Sequence, residues 1–201
     1  MAEYRVRPAT PPDAAAIALI YNQGIEDRLA TLETEPRTPE ERRQWLTARG
    51  PRHPVIVAET TEPETTAPKT TWNRPPTFQA GLAGPATTVT SERPQGGPAR
   101  LLGWGSLNPF SARAAYDHVA DFSVYVERGW RGKGVGRVLL ARLIELGREH
   151  GYHKLVLSAF PFNKPGVALY EKLGFQTVGV YHEQGLLDGQ WVDTIIMEKL
   201  L

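Results

Sequence analysis

Residues 122–137 read FSVYVERGWRGKGVGR, and this stretch determines how the rest of the chain is interpreted. A run of β-branched and aromatic residues ends at Glu127, and a basic, glycine-rich turn follows at Arg131–Gly136. The apolar spacing of residues 138–146 then predicts a helix. A strand, a glycine turn and a helix N-terminus form a socket for a pyrophosphate, because unpaired backbone N–H groups and the helix dipole converge on the anion.

The residues of this turn exclude two familiar phosphate-binding motifs. A Walker loop needs serine or threonine after its lysine, and here Lys133 is followed by Gly134. A dinucleotide fingerprint belongs to the first strand–helix unit and is followed by an acid at the end of the next strand. This turn lies late in the chain, and the segment after the next predicted strand is Phe160–Asn163, which contains no acid. The glycine turn therefore belongs to another class of phosphate-binding motif.

Composition narrows the class of protein further. The 201 residues fit one domain, and 41% hydrophobic with 22% charged residues is ordinary for a soluble globular protein. A net charge of +1 argues against a nucleic-acid partner. No apolar run is long enough to span a membrane, and the N-terminus lacks the apolar core of a signal peptide, so we expect a cytoplasmic protein.

Cysteine and histidine usage limits the chemistry. The chain has no cysteine, which excludes disulfides, thiolate metal sites and a cysteine nucleophile. Its five histidines show no metal-ligand spacing, so we expect no metal. Any group transfer is then direct or passes through another type of side chain.

Hydrophobic periodicity predicts strands and helices in alternation, typical of an α/β or α+β fold with about seven strands. The predicted strands are residues 5–7, 54–58, 101–107, 123–126, 154–159, 176–181 and 192–199, and the predicted helices are residues 10–27, 38–48, 138–150 and 165–173. Residues 60–99 are rich in threonine, proline and glycine, so we interpret them as a mobile insertion between strands two and three of a single domain, 1–201.

Two motifs together resemble a known family. Arg131-x-x-Gly134-x-Gly136 follows Val-Tyr-Val, and Asn163 is followed by LYEKLGF at residues 169–175. This combination resembles the GNAT superfamily of acetyl-CoA-dependent N-acetyltransferases over the whole chain apart from 60–99. Residues 20–26, 30–36, 112–117 and 189–193 are similar to the phosphinothricin and methionine sulfoximine acetyltransferase branch. The resemblance implies a mixed, mostly antiparallel sheet flanked by helices.

The resemblance also implies acetyl-CoA as co-substrate. The backbone of strand four would pair with the pantetheine arm, the amides of the glycine turn would bind the pyrophosphate, and Asn163 would hydrogen-bond the arm near its reactive end. The predicted acetyl-CoA ligands are Val124, Tyr125, Val126, Arg131, Gly132, Lys133, Gly134, Val135, Gly136, Arg137 and Asn163.

Acetyl transfer to an amine needs a proton acceptor for the amine and a proton donor for the leaving thiolate. Tyr170 is the predicted donor, because a phenol stays protonated at neutral pH. Many GNAT enzymes carry tyrosine at this position, whereas the phosphinothricin branch usually has histidine. Asp121 matches a position that is usually glutamate in that branch and would accept the proton through a water. The sequence also leaves open His118 as the base, Tyr170 as a packed aromatic residue and Asp121 as a solvated carboxylate.

An amino-acid acceptor would present a carboxylate that suits an arginine. We predict Arg113 for this role with Tyr116 beside it, and Glu26 for a substrate ammonium or hydroxyl group. The leading hypothesis is an acetyltransferase for a small-molecule amine. An acetyltransferase for protein N-termini or lysines and a catalytically silent acyl-CoA-binding module are the alternatives. Homodimers are common in the resembled branch, so the resemblance implies a homodimer as an expectation for this chain.

Overall fold

The computed structural model describes residues 4–60 and 100–201, and the predicted insertion lies outside the described residues except for Thr60. The strands are β1 (Tyr4–Pro8), β2 (Val55–Thr60), β3 (Leu101–Pro109), β4 (Val119–Val126), β5 (Lys154–Ala159), β6 (Gln176–Leu187) and β7 (Gln190–Leu200). The helices are α1 (Ala14–Glu26), α2 (Pro39–Thr47), α3 (Val135–Glu149) and α4 (Lys164–Lys172). No helix in these ranges is long and apolar enough to cross a membrane.

The strands form one sheet in the order β1-β2-β3-β4-β5-β7-β6. Every neighbouring pair is antiparallel except β4 and β5, which run parallel. The predicted mixed, mostly antiparallel sheet with flanking helices is therefore confirmed. β4 begins four residues before its predicted start at Ser123, because residues 119–121 pair with the first three residues of β5.

The two faces of the sheet are covered by different helices. One face packs against α3 through a cluster that includes Leu139, Leu143 and Leu155. The opposite face packs against α1 through a cluster that includes Ile17, Tyr21 and Trp104. Alternate residues of β3 and β4 therefore point into two separate environments.

Local signals in the sequence explain where several elements begin and end. The side chain of Thr38 accepts a hydrogen bond from the Glu41 amide at 3.2 Å, which caps α2 as predicted. Gly151 has a φ of 71° just after α3, as expected for a helix terminator. Asp188 and Gly189 have φ values of 49° and 80°, which suit the tight turn between β6 and β7.

Candidate active site

The sheet opens between β4 and β5. Their backbones pair only where Val119, Ala120 and Asp121 oppose residues 154–156, although both strands continue further. From Phe122 to Val126, β4 pairs with β3 on one side and has no strand partner on the other among the described residues. The free edge of β4 is therefore available to hydrogen-bond an extended ligand as if it were another strand.

The glycine turn closes one end of this gap. Gly132 and Gly134 have φ values of 73° and 95°, a conformation that side chains with a Cβ rarely adopt. Within residues 4–60 and 100–201 the amides of Gly134, Val135 and Gly136 find no backbone or side-chain acceptor, and the first amide of α3 that does is that of Val138. These amides form an anion site at the N-terminus of a 15-residue helix.

Close packing holds this helix N-terminus beside the gap. A Cβ built on Gly136 would lie 3.2 Å from Leu169 of α4 and 3.5 Å from Val126 of β4. The absence of a side chain at Gly136 thus allows α3, α4 and β4 to approach one another. The turn and the free edge of β4 are the parts of the site that we predict to bind the pyrophosphate and the pantetheine arm of one extended ligand.

Asp121 lies at the point where β4 and β5 separate. Burial raises the pKa of its carboxyl to about 6, although a hydrogen bond donated by Asn108 at 3.3 Å favours the ionised form. A carboxylate with this pKa is mostly ionised at neutral pH and binds a proton more readily than an exposed one. Its environment therefore suits a general base.

Tyr170, on α4, lies on the other face of the sheet, close enough to Asp121 for the charge of that carboxylate to act on its phenol. Its ring packs edge to face on Phe122, with 5.9 Å between ring centroids, and belongs to the α3 side of the core. Burial, together with the charge of Asp121, raises the pKa of the phenol to about 12. Its hydroxyl has no hydrogen-bond partner in the part of the chain that the structure describes, so its proton is not committed to another protein group.

Residues 25–175 match the acetyltransferase (GNAT) family. The chain belongs to this family. Curated relatives align over nearly the full length. The phosphinothricin N-acetyltransferase of Streptomyces coelicolor is 26% identical over 200 residues, covering 100% of this chain and 98% of the relative. The L-methionine sulfoximine/L-methionine sulfone acetyltransferase of Pseudomonas paraeruginosa is 26% identical over 194 residues, covering 96% and 92%.

Solved structures of family members share the fold. YncA from Salmonella typhimurium, solved with its cofactor acetyl-CoA, is 25% identical with a TM-score of 0.76 and covers 99% of this chain and 94% of its own. Ribosomal-protein-alanine N-acetyltransferase from Brucella melitensis is 30% identical with a TM-score of 0.75 and covers 98% and 99%. This GNAT chain is thus similar to enzymes named for small-molecule and for protein acceptors.

The cations near the glycine turn are not equally free in this GNAT chain. The guanidinium of Arg131 pairs with Asp27 at 2.5 Å, and the ammonium of Lys133 lies 4.7 Å from the centre of the Trp130 ring. Arg137 makes no ion pair or hydrogen bond within residues 4–60 and 100–201, so its charge is the most accessible to a phosphate. The predicted role of Arg131 as a phosphate contact would require it to leave Asp27.

Other predicted acetyl-CoA ligands divide between backbone and side-chain roles. Val124 and Val126 point their side chains into the α3 face, and Tyr125 stacks on Trp104 with ring centroids 4.9 Å apart, so all three offer only backbone to a ligand in the gap. Asn163 caps α4, where its side-chain oxygen accepts a hydrogen bond from Gly166 at 3.2 Å. Its side-chain N–H groups have no partner among the described residues and stay available to donate.

A groove of about 900 Å³ between β1 and α3 is lined by residues that include Tyr4, Trp130 and Arg137. It adjoins the glycine turn, but neither Asp121 nor Tyr170 lines it. The groove is therefore separate from both the candidate base and the candidate acid.

The structure does not bring the predicted acceptor residues together. Arg113 and Tyr116 lie exposed on the loop before β4, where Tyr116 packs on Phe110 with 5.3 Å between ring centroids. Glu26 instead pairs with Arg128, just after β4, at 3.0 Å. His118 is exposed at the start of β4, which fits a surface histidine. No group of three or more metal-ligating side chains occurs in the described ranges.

Sequence reasoning missed the polar cluster around Asp121. Ser106 and Asn108 of β3 lie opposite Ser123 and Asp121 of β4, and Arg49 contacts the same asparagine. The alternation of Ser106 and Asn108 in an otherwise apolar strand was the available signal. It was overlooked because the predicted strand ended at residue 107, one residue before the asparagine.

Proposed function

We propose that the protein transfers the acetyl group of acetyl-CoA to the amino group of a small molecule, an amino acid or analogue such as phosphinothricin or methionine sulfoximine. The observation that carries this proposal is that Asp121 and Tyr170 lie on opposite faces of the sheet near the point where β4 separates from β5. One is a base with a raised pKa, and the other is an acid that stays protonated. Attack is direct, in a ternary complex of enzyme, acetyl-CoA and amine.

The two residues act on opposite ends of the reaction. Asp121 accepts a proton from the acceptor's ammonium group, directly or through a water, and leaves the amine free to attack the thioester carbonyl carbon. A C–N bond forms and the C–S bond breaks. The phenol of Tyr170 gives its proton to the departing thiolate of CoA and regains one from solvent. Asp121 releases its first proton to solvent and then takes the proton that the acylated nitrogen loses.

The two faces of the sheet separate these roles. Asp121 lies on the same face as Asn108 and Ser123, towards the helices α1 and α2, whereas Tyr170 belongs to the α3 face. A thioester held in the gap would expose its carbonyl carbon towards the acceptor and keep its sulfur beside the phenol. Base and acid then cannot neutralise each other directly.

The glycine turn supports the placement of acetyl-CoA. Its free amides would bind the pyrophosphate, and the unpaired edge of β4 would bind the amide groups of the pantetheine arm. Both contacts hold the substrate without a covalent bond, and the pre-set geometry supplies much of the rate enhancement by positioning.

An acetyltransferase for protein N-termini is the second candidate, favoured by the similarity to the ribosomal-protein-alanine enzyme. Release of free CoA thiol from acetyl-CoA by the purified protein tests both. The acceptors to compare are phosphinothricin, methionine sulfoximine, ordinary amino acids and an alanine- or lysine-bearing peptide. Turnover with the small acceptors supports the proposal. Turnover with the peptide alone would identify a protein or peptide as the acceptor instead of a small molecule. No turnover with any acceptor, despite tight binding of acetyl-CoA, would favour a catalytically silent binding module.

The expected homodimer is a separate proposal. Light scattering on the protein as it elutes from a sizing column measures its mass in solution. A mass of twice 22.3 kDa would support the dimer, and a mass of 22.3 kDa would contradict it.

A further inference from the structure

Asn108 stands between Asp121 and a positively charged side chain. Its Nδ2 donates to Oδ1 of Asp121 at 3.3 Å and to the hydroxyl of Ser123 at 3.2 Å. Its Oδ1 accepts from Arg49 at 3.0 Å and from the hydroxyl of Ser106 at 2.9 Å. The carboxamide therefore makes four hydrogen bonds, two through each end.

This set of partners determines which end of the carboxamide faces Asp121. Arg49 has only donors, so it demands the oxygen of Asn108. If the amide were rotated by half a turn, its oxygen would face the carboxylate of Asp121 and its N–H groups would face the guanidinium. Both contacts would then be repulsive, so Arg49 selects the orientation that offers a donor to Asp121.

Arg49 is itself held firmly in place. Its Nε donates to the carbonyl of His53 at 2.9 Å, and a terminal nitrogen donates to the carbonyl of Leu107. The guanidinium lies 4.9 Å from the centre of the Trp45 ring. Within the described residues this half-buried cation makes no ion pair with a carboxylate. Its hydrogen bonds go to backbone carbonyls and to Asn108.

We propose that Asn108 is a positioning residue for the catalytic base Asp121 and that Arg49, through Asn108, keeps a hydrogen-bond donor facing that carboxylate. The role of Asp121 as catalytic base rests on the proposed function, but the hydrogen bonds from Arg49 through Asn108 to Asp121 can be tested without any turnover. The role of this hydrogen-bond relay is to favour the ionised form of Asp121 against the effect of burial.

The groups around Asp121 are few. Among the described residues, Tyr170 of α4 is the titratable group that the charge of Asp121 influences, from the other face of the sheet, and β5 presents the apolar residue Val156 at the paired position. Burial drives the pKa of Asp121 upwards and the Asn108 donor opposes it. Loss of the donor should therefore raise the pKa further, because nothing else among these groups favours the carboxylate.

The direct experiment follows the Asp121 carboxyl by ¹³C NMR in protein labelled at aspartate, with Asp121→Asn used to assign the signal. Asn108→Asp keeps the shape and the Arg49 contact but replaces the donor by an acceptor, and Asn108→Ala removes both. We expect the pKa of Asp121 to rise by about one pH unit in each. Arg49→Gln should raise it in the same direction, and Arg43→Gln, an exposed arginine of the same helical region, should leave it unchanged.

The kinetic consequence separates positioning from a structural role. If the pKa of Asp121 moves from about 6 to one unit higher, kcat/KM falls roughly fivefold at pH 6 and is unchanged at pH 9. A structural defect would lower kcat/KM equally at both. An unmoved Asp121 signal in Asn108→Asp overturns the relay, whereas a shifted signal in a protein without turnover keeps the relay and overturns the proposed function.

Discussion

Phe122 and Tyr170 pack edge to face with their ring centroids 5.9 Å apart, and this contact fixes the tyrosine of α4 beside the strand that carries Asp121. Phe122 is the residue after Asp121, so the two side chains point to opposite faces of β4. The predicted proton donor is thereby held on one face of the sheet and the predicted proton acceptor on the other. In the proposed mechanism, both side chains act on one substrate held in the gap between β4 and β5.

Tyr170→Phe keeps this ring packing and removes only the hydroxyl. We expect kcat to fall about 100-fold, since general acid catalysis contributes at least that much, with little change in melting temperature. Tyr181→Phe, on the exposed surface of β6, is the matched control. Because the pKa of Tyr170 is about 12, ionisation of this residue should cause no loss of activity up to about pH 10. Unchanged kcat in Tyr170→Phe would leave Tyr170 as a packed aromatic residue only.

Asp121→Asn removes the candidate base without changing the size of the side chain. We expect kcat to fall by about 100-fold or more at neutral pH, with the KM for acetyl-CoA unaffected. In the unchanged protein, kcat/KM should decline as pH falls below about 6, because the carboxylate becomes protonated. A pH profile without this acidic limb, or an active Asn variant, would shift the base assignment to another group such as His118.

The same substitution should make the protein more stable. A carboxyl whose pKa is raised on folding costs stability once pH exceeds its unfolded value of about 3.9, and the cost grows until pH reaches about 6. The stability gain of Asp121→Asn should therefore grow between about pH 4 and about pH 6 and stay constant at higher pH. Urea denaturation at a series of pH values measures it. A gain that does not vary with pH would contradict the raised pKa.

Gly132→Ala tests the glycine turn against a control in the same protein. Gly132 and Gly151 have φ values of 73° and 71°, and a Cβ at either would meet no atom within 4 Å. Alanine should cost about 1 kcal/mol of stability at each position through backbone strain alone. Only Gly132→Ala should weaken acetyl-CoA binding, measured by calorimetry. Equal affinities of the Gly132→Ala and Gly151→Ala variants for acetyl-CoA would show that the turn is not part of the acetyl-CoA site.

Features that depend on neighbouring residues were predictable from the sequence. The glycine turn, the helix start at Thr38 and the tight turn at Asp188–Gly189 all lie where expected, because each is specified within a few residues by backbone preference or capping. Strand β5 occupies the predicted residues because its apolar run is short and bounded. The first predicted helix is instead divided, with a 3₁₀ turn at Pro11–Asp13 ahead of α1.

Features that depend on distant partners were not predictable. β6 extends to Leu187, well past the predicted end at Tyr181, because β7 supplies hydrogen bonds beyond an irregularity between Tyr181 and Gly185. The pairing of Arg131 with Asp27 joins residues 104 positions apart. Asn108 reaches Asp121 only through the register of β3 and β4. The alternation of Ser106 and Asn108 in one sequence can mark polar positions on β3, but it does not identify Asp121 as the partner, so this contact to the predicted base was missed.

The most direct measurement is mass spectrometry of the acceptor after incubation with acetyl-CoA, for the unchanged protein and for the Asp121→Asn, Tyr170→Phe double variant. We predict N-acetylated phosphinothricin or methionine sulfoximine from the unchanged protein and a rate at least 100-fold lower from the double variant. Free CoA without an acetylated small molecule, or equal rates from the two proteins, would contradict acetyl transfer by this pair of residues.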